Sequence, residues 1–293
     1  MPASMFFLLS AAFILTVSWG ITALIELPAK RAEEKQRAED QAQTAPVAPE
    51  GEIGPVKSAN TAYTPISAAI VAQPENGRVE MSYFDNALFI GDSLTRGFEE
   101  YTSGFPNAHY AAYIGAGPRQ FMEGLVQNRA GEQVAAIDEI LAAAPRKVYM
   151  LLGTNALPTL TDDAFLKYYG DLLDFLLPQL PADTVYYIQA IPPAIAEKMD
   201  GDENFSRERI QAINERLARM AFERGIAFLD LYSALADDTG ALRADIASGD
   251  IHLNNAGYSL WREFLITHTV YRKDNPYLPG SPCYDALFTP GTT

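Results

Sequence analysis

The sequence predicts an α/β protein: a five-stranded parallel sheet covered by helices on both faces, preceded by one transmembrane helix and a linker. Three observations carry this reading. From about residue 82 onward, short apolar runs of strand length alternate with amphipathic segments of helical length, the pattern of a parallel sheet layered between helices. Most of the runs end in loop-forming residues, Gly-Asp-Ser, Gly-Thr-Asn or Pro-Pro among them. The first quarter of the chain stands apart, with an uncharged apolar stretch and then a segment poor in large apolar side chains.

The apolar stretch comes first. Residues 5–25 carry no charge, and at about 1.5 Å per residue such a helix spans the roughly 30 Å hydrocarbon core of a bilayer. The anchor is placed at 5–27. A cleavable signal peptide would show a shorter apolar stretch, a basic start and a small-x-small cleavage site, and none of these is evident. Lys30, Arg31, Lys35 and Arg37 follow the span with four acidic residues interleaved. Basic residues favour the cytoplasmic side, but long domains translocate largely regardless of flanking charge. The expected location is therefore a membrane, with a single-pass N-terminal anchor and an extracytoplasmic catalytic domain. Residues 28–79, rich in Ala, Pro, Glu and Gln, read as a flexible linker, because they hold too little apolar surface to offset chain entropy.

The domain at 80–293 follows. Strands are predicted at 87–90, 109–114, 147–152, 184–191 and 226–231. A helix runs from Asp162 to about Leu177, stopped by Pro178. Another starts after a Ser206 cap, sets Ile210, Ile213, Leu217 and Met220 on one face, and ends at Gly225. A last helix begins near Asn255, with Tyr258, Trp261 and Phe264 as a core-facing stripe.

Composition excludes several functions. The chain carries a formal net charge of −15. Residues 80–293 hold 16 Lys and Arg against 29 Asp and Glu, a net −13. A domain this acidic repels phosphates, so no nucleic-acid partner is expected. The lone Cys283 cannot form an internal disulfide and is expected to be a small buried group. Three scattered histidines without a His-Glu-x-x-His motif argue against a catalytic metal. Thr95 stands where a Gly-x-Ser-x-Gly elbow needs its last glycine, and Gln120 stands where a dinucleotide fingerprint after Gly115 and Gly117 needs one. No cofactor is expected.

The residues suited to chemistry lie at strand ends, where parallel sheets bind ligands. Gly91-Asp92-Ser93-Leu94-Thr95 follows the first strand, Gly115 and Gly117 the second, and Gly153-Thr154-Asn155 the third. Gly249-Asp250-Ile251-His252-Leu253 precedes the last helix. A serine nucleophile needs a base within hydrogen-bond reach and donors aimed at the developing oxyanion. On residue preference alone, Ser93 would serve as a helix N-cap and Asn155 as a turn residue. His109 and His268 read as structural.

In order and spacing across residues 84–270, the GDSLT, glycine, GTN and late Asp/His blocks with LNNAGY resemble the SGNH (GDSL) hydrolases. The resemblance implies an α/β/α, flavodoxin-like fold and an esterase or lipase activity on ester bonds. It implies Ser93 as nucleophile and His252 as base, with an oxyanion hole of the Ser93 N–H, the Gly115 N–H and the Asn155 side chain. Gly115 is preferred to Gly117 because Pro118 suits the first helical position and makes Gly117 the N-cap, and the family's glycine usually lies two residues earlier. The family's acid usually lies three residues before the histidine, where this chain has Gly249. Asp250, two residues before His252, is the expected acid, with a Ser–His dyad as the alternative. The expected reaction is hydrolysis of a carboxylic ester through acyl-Ser93, with a small ester or an O-acylated, O-acetylated carbohydrate as substrate. An O-acyltransferase to a sugar acceptor and a non-catalytic carbohydrate-binding module of the same fold are the alternatives.

Overall fold

The architecture is that of a computed structural model describing residues 67–101, 104–271 and 277. The expected anchor at 5–27, most of the expected linker and Cys283 lie outside the described residues. No helix among the described residues is long and apolar enough to cross a membrane.

In chain order the elements are α1 (Ala68–Val71), β1 (Ala87–Gly91), α2 (Ser93–Glu100), β2 (His109–Ala112) and α3 (Pro118–Glu123). A small antiparallel hairpin follows, β3 (Val126–Gln127) with β4 (Gln133–Val134). Then come α4 (Ala136–Ala143), β5 (Lys147–Leu151), α5 (Asp162–Leu176), β6 (Val185–Gln189), α6 (Ala196–Gly201), α7 (Arg207–Glu223), β7 (Ala227–Leu229), α8 (Leu231–Leu235) and α9 (Asn255–Thr267). The main sheet has the order β2-β1-β5-β6-β7, and each of its pairings is parallel. With the hairpin set aside this is the 2-1-3-4-5 order of doubly wound folds, whose topological switch lies at the first strand.

The sheet is buried on both faces, so its strands are continuously apolar rather than alternating with polar residues. All five residues of β1 are buried, and successive side chains go to opposite cores. Leu88, Ile90, Val148, Met150, Ile188 and Phe228 pack with Phe121, Ile140, Phe165, Leu172 and Leu217. Phe89, Tyr149, Leu151, Tyr187 and Leu229 pack with Leu94, Phe98, Leu235 and Trp261. The expected stripe on α9 does face this second core: Tyr258 and Trp261 are buried and Phe264 packs against the cluster.

Four of the five main strands stop earlier than apolar content predicts, and beyond β2, β6 and β7 other groups take over the backbone bonds. Beyond β6, the N–H and C=O of Ile191 pair with the Asn214 side chain at 2.8 and 2.9 Å, and two prolines without N–H groups follow. Beyond β7, Asp230 caps α8, its carboxylate accepting from the Ser233 N–H at 3.1 Å. Beyond β2, the chain turns through Tyr113–Ala116, where the Ala116 N–H donates to the Tyr113 carbonyl at 3.1 Å. Ser206 does stand at the N-cap of α7, yet its side chain makes no capping bond.

A further correction concerns the end of the linker. From Ser67 the chain is docked on the domain. Ala72 bridges Phe228 in parallel, and the Gln73 N–H donates to the Phe228 carbonyl at 2.8 Å. The Asn76 and Val79 N–H groups donate to the carbonyls of Thr267 and Ile266 at 3.0 and 3.1 Å, and Val79 is buried. A polar average over residues 28–79 conceals the few apolar residues, Val71 and Val79 among them, that anchor this strap.

Candidate active site

The loop after β1 is built around a close approach of α2 to the sheet. A Cβ at Gly91 would lie 2.8 Å from the Leu151 carbonyl oxygen and inside the Thr95 side chain, so only glycine fits. Asp92 then caps α2: its Oδ1 accepts from the Leu94 N–H at 2.9 Å. Ser93 becomes the first helical residue, half-buried. Its N–H belongs to the first turn, whose amides have no acceptor within the helix.

His252 meets Ser93 across 159 residues of sequence, with Ser93 Oγ and His252 Nε2 3.0 Å apart. The histidine loop is held on both sides. The Ser248 N–H donates to the His252 carbonyl at 2.8 Å, Ala247 bridges Leu253, and Asn254 caps α9 through Ala256 and Gly257 at 2.9 and 3.1 Å. A Cβ at Gly257 would lie 2.8 Å from the Ile246 carbonyl, so this glycine lets the loop settle on the helix.

Asp250 is not brought to the imidazole. Its side chain is exposed, and no hydrogen bond or ion pair joins it to His252. The reason lies in the backbone. The chain turns at Gly249 with φ +90°, a region L side chains rarely adopt. The Asp250 carbonyl then accepts from the Ile195 N–H at 2.9 Å. Asp250 and Lys198 line one surface pocket, and the Lys198 pKa is raised chiefly by its hydrogen bond to Asp202, with Asp250 a smaller contributor. The same left-handed turn explains why glycine, and no acid, stands three residues before the histidine.

The two glycines after β2 are distinguished by their partners. The Gly117 N–H donates to the Gln120 side chain at 3.0 Å in the first turn of α3. Gly115, exposed with φ +78°, makes no hydrogen bond through its N–H among the described residues. Asn155 lies in the turn after β5, where the Ala156 and Leu157 N–H groups converge on the Gly153 carbonyl at 2.8 and 3.0 Å. The Asn155 Nδ2 is buried and has no hydrogen-bond partner. β1, β2 and β5 are adjacent in the sheet, so their terminal loops bring Ser93, Gly115 and Asn155 to the same end of it.

Sequence reasoning passed over Asp92. It is fully buried, and burial pushes its carboxyl up to about 7 against the Leu94 N–H and the Asn155 side chain, which pull it down. The signal was present: an acid between a strand-end glycine and the first residue of a helix. It reads there as an ordinary cap, and burial cannot be read from the sequence.

The sequence profile of the GDSL-like Lipase/Acylhydrolase family matches residues 89–260, more than half of the chain. The chain belongs to this family. It is thus a serine hydrolase that acts on ester bonds. A search of curated proteins finds no match. Solved structures with the same fold include a GDSL-like lipase from Bacteroides thetaiotaomicron VPI-5482, 15% identical, covering 68% of this chain and 91% of that one at a TM-score of 0.50. A candidate acylhydrolase from Bacteroides fragilis NCTC 9343 is 15% identical over 68% and 89%, TM-score 0.51. A candidate platelet activating factor from Streptococcus pneumonia is 21% identical over 61% and 81%, TM-score 0.50. At such identities the likeness is one of fold.

Proposed function

We propose that this GDSL-family enzyme hydrolyses small carboxylic esters by acyl transfer to Ser93, with His252 as general base. The observation that carries the reading is the 3.0 Å contact between Ser93 Oγ and His252 Nε2 at the carboxyl end of the sheet. In the first step Ser93 Oγ attacks the ester carbonyl, and His252 takes the hydroxyl proton and returns it to the departing alcohol. Water then attacks the acyl-serine, His252 takes its proton, and the acid leaves as Ser93 is regenerated. The Ser93 N–H, the Gly115 N–H and the Asn155 amide are the donors for the oxyanion. The unbonded Gly115 N–H and the unpartnered Asn155 Nδ2 support that assignment over Gly117. Because the Asp250 side chain has no bond to the ring, the proposed working pair is a Ser–His dyad.

The proposed substrate is an uncharged O-acyl ester, such as an O-acetylated carbohydrate, since a domain of net charge −13 disfavours anionic ones. The uncharged apolar stretch at 5–25 supports a membrane-tethered enzyme with an extracytoplasmic domain.

The test uses the full chain. p-Nitrophenyl acetate should be turned over with release of acetic acid, and adding an acetyl-free polysaccharide should not divert the acyl group to sugar. A fluorophosphonate probe should label one residue, and Ser93→Ala should abolish both labelling and turnover. Labelling that survives the substitution would sink the nucleophile assignment, and acetylated sugar as the main product would make the enzyme a transferase.

A further inference from the structure

Asp92 is the sole buried charged side chain among the described residues. Capping α2 does not explain it. The cap uses Oδ1 alone, and Ser or Asn would cap equally well without a buried charge. The second oxygen, Oδ2, is buried without a hydrogen bond, and so is the Asn155 Nδ2. One is an acceptor lacking a donor, the other a donor lacking an acceptor. Asp92 follows Gly91 of β1, which pairs with Leu151 of β5, and Asn155 lies four residues beyond Leu151, so both side chains stand at the same end of adjacent strands. The Asn155 amide also pulls the Asp92 carboxyl down. Two buried, unpaired polar atoms are costly apart and complementary together. An amide nitrogen carries two hydrogens, so bonding one of them leaves the other to donate elsewhere.

We propose that Asp92 is the positioning residue of the oxyanion hole: its Oδ2 takes one Nδ2 hydrogen of Asn155 and leaves the second aimed at the carbonyl oxygen under attack. This rests on the assignment of Asn155 as an oxyanion donor. The contact fixes which way the amide faces, since the Asn155 carbonyl cannot turn toward a carboxylate oxygen without repulsion. It also polarises the amide and strengthens its remaining donor. Asp92 itself touches no reacting atom.

A double-mutant cycle on the full chain tests this, with ester hydrolysis and thermal unfolding as readouts. Asn155→Ala should lower kcat by roughly 10²–10³, the scale of one lost oxyanion donor. Asp92→Asn keeps the shape and one cap acceptor but turns an amide nitrogen toward the Asn155 amide. It should lower kcat at least about tenfold and leave KM within about twofold. The double variant should be no slower than Asn155→Ala alone, because Asp92 acts only through that amide. Asp92→Ser keeps the cap and deletes Oδ2, and should show the same loss in kcat without unfolding. Asn155→Ala with full kcat would remove both the oxyanion assignment and this inference. A normal loss in Asn155→Ala, with additive losses in the double variant or full kcat in Asp92→Ser, would overturn this inference alone.

Discussion

At the scale of single residues, Asp250 shows how little sequence distance says about reach. It is the acid nearest His252 along the chain, yet the turn at Gly249 and the bond from Ile195 to its carbonyl leave its carboxylate away from the ring. Losing the acid of a working triad costs up to about 10⁴ in rate. For the dyad, Asp250→Asn should cost less than about tenfold in kcat on p-nitrophenyl acetate. A loss of 10² or more would mean that the carboxylate swings onto the imidazole during turnover. Ser93, His252 and Asn155 were legible because each belongs to a short block with ordered neighbours. Asp92 and the choice between Gly115 and Gly117 depend on burial and on which N–H is already bonded, and neither has a signature in residue type.

At the scale of elements, apolar runs mark every strand of the main sheet but not where most of them stop. Apolar periodicity reports burial, whereas a strand ends where its ladder bonds end, and Asn214 ends β6 from 23 residues away. The strap before β1 leaves no clear sequence signal for a related reason. Its hold on the domain comes from backbone bonds to Phe228, Ile266 and Thr267 and from the burial of one valine. The strap also pairs at Phe228 with β7, an outer strand of the sheet that would otherwise offer unpaired backbone groups. Burying one valine contributes about 1.5–3 kcal/mol, and about 1 kcal/mol shifts Tm by about 2–4 °C in a domain of this size. A chain beginning at Glu80 should therefore melt at least about 3 °C below one beginning at Ser67, with the same kcat. Equal melting temperatures would mean that the strap does not hold the edge.

At the scale of the whole molecule, buried and exposed acids act differently as pH changes. Burial raises the Asp92 carboxyl from 3.8 to about 7. Between those values the folded protein keeps a proton that the unfolded chain releases, so this residue lowers stability as pH rises through the window and has no further effect above it. The slope is at most about 1.4 kcal/mol per pH unit. Asp92→Asn should remove it, so the variant's Tm should gain on the wild type between about pH 4.5 and 7. A gap that stays constant would mean that Asp92 is ionised throughout. Ser93 and His252, meanwhile, stand 159 residues apart, with four of the five main strands between them. That separation has a consequence during synthesis. At about 5–20 residues per second, a growing chain carries its serine for roughly 8–30 seconds before the histidine has been added. Through that interval the proposed nucleophile has no base, and on that mechanism a ribosome-bound chain does not cleave the esters around it. On the proposed mechanism, the hydrolase is armed only as α9 is made.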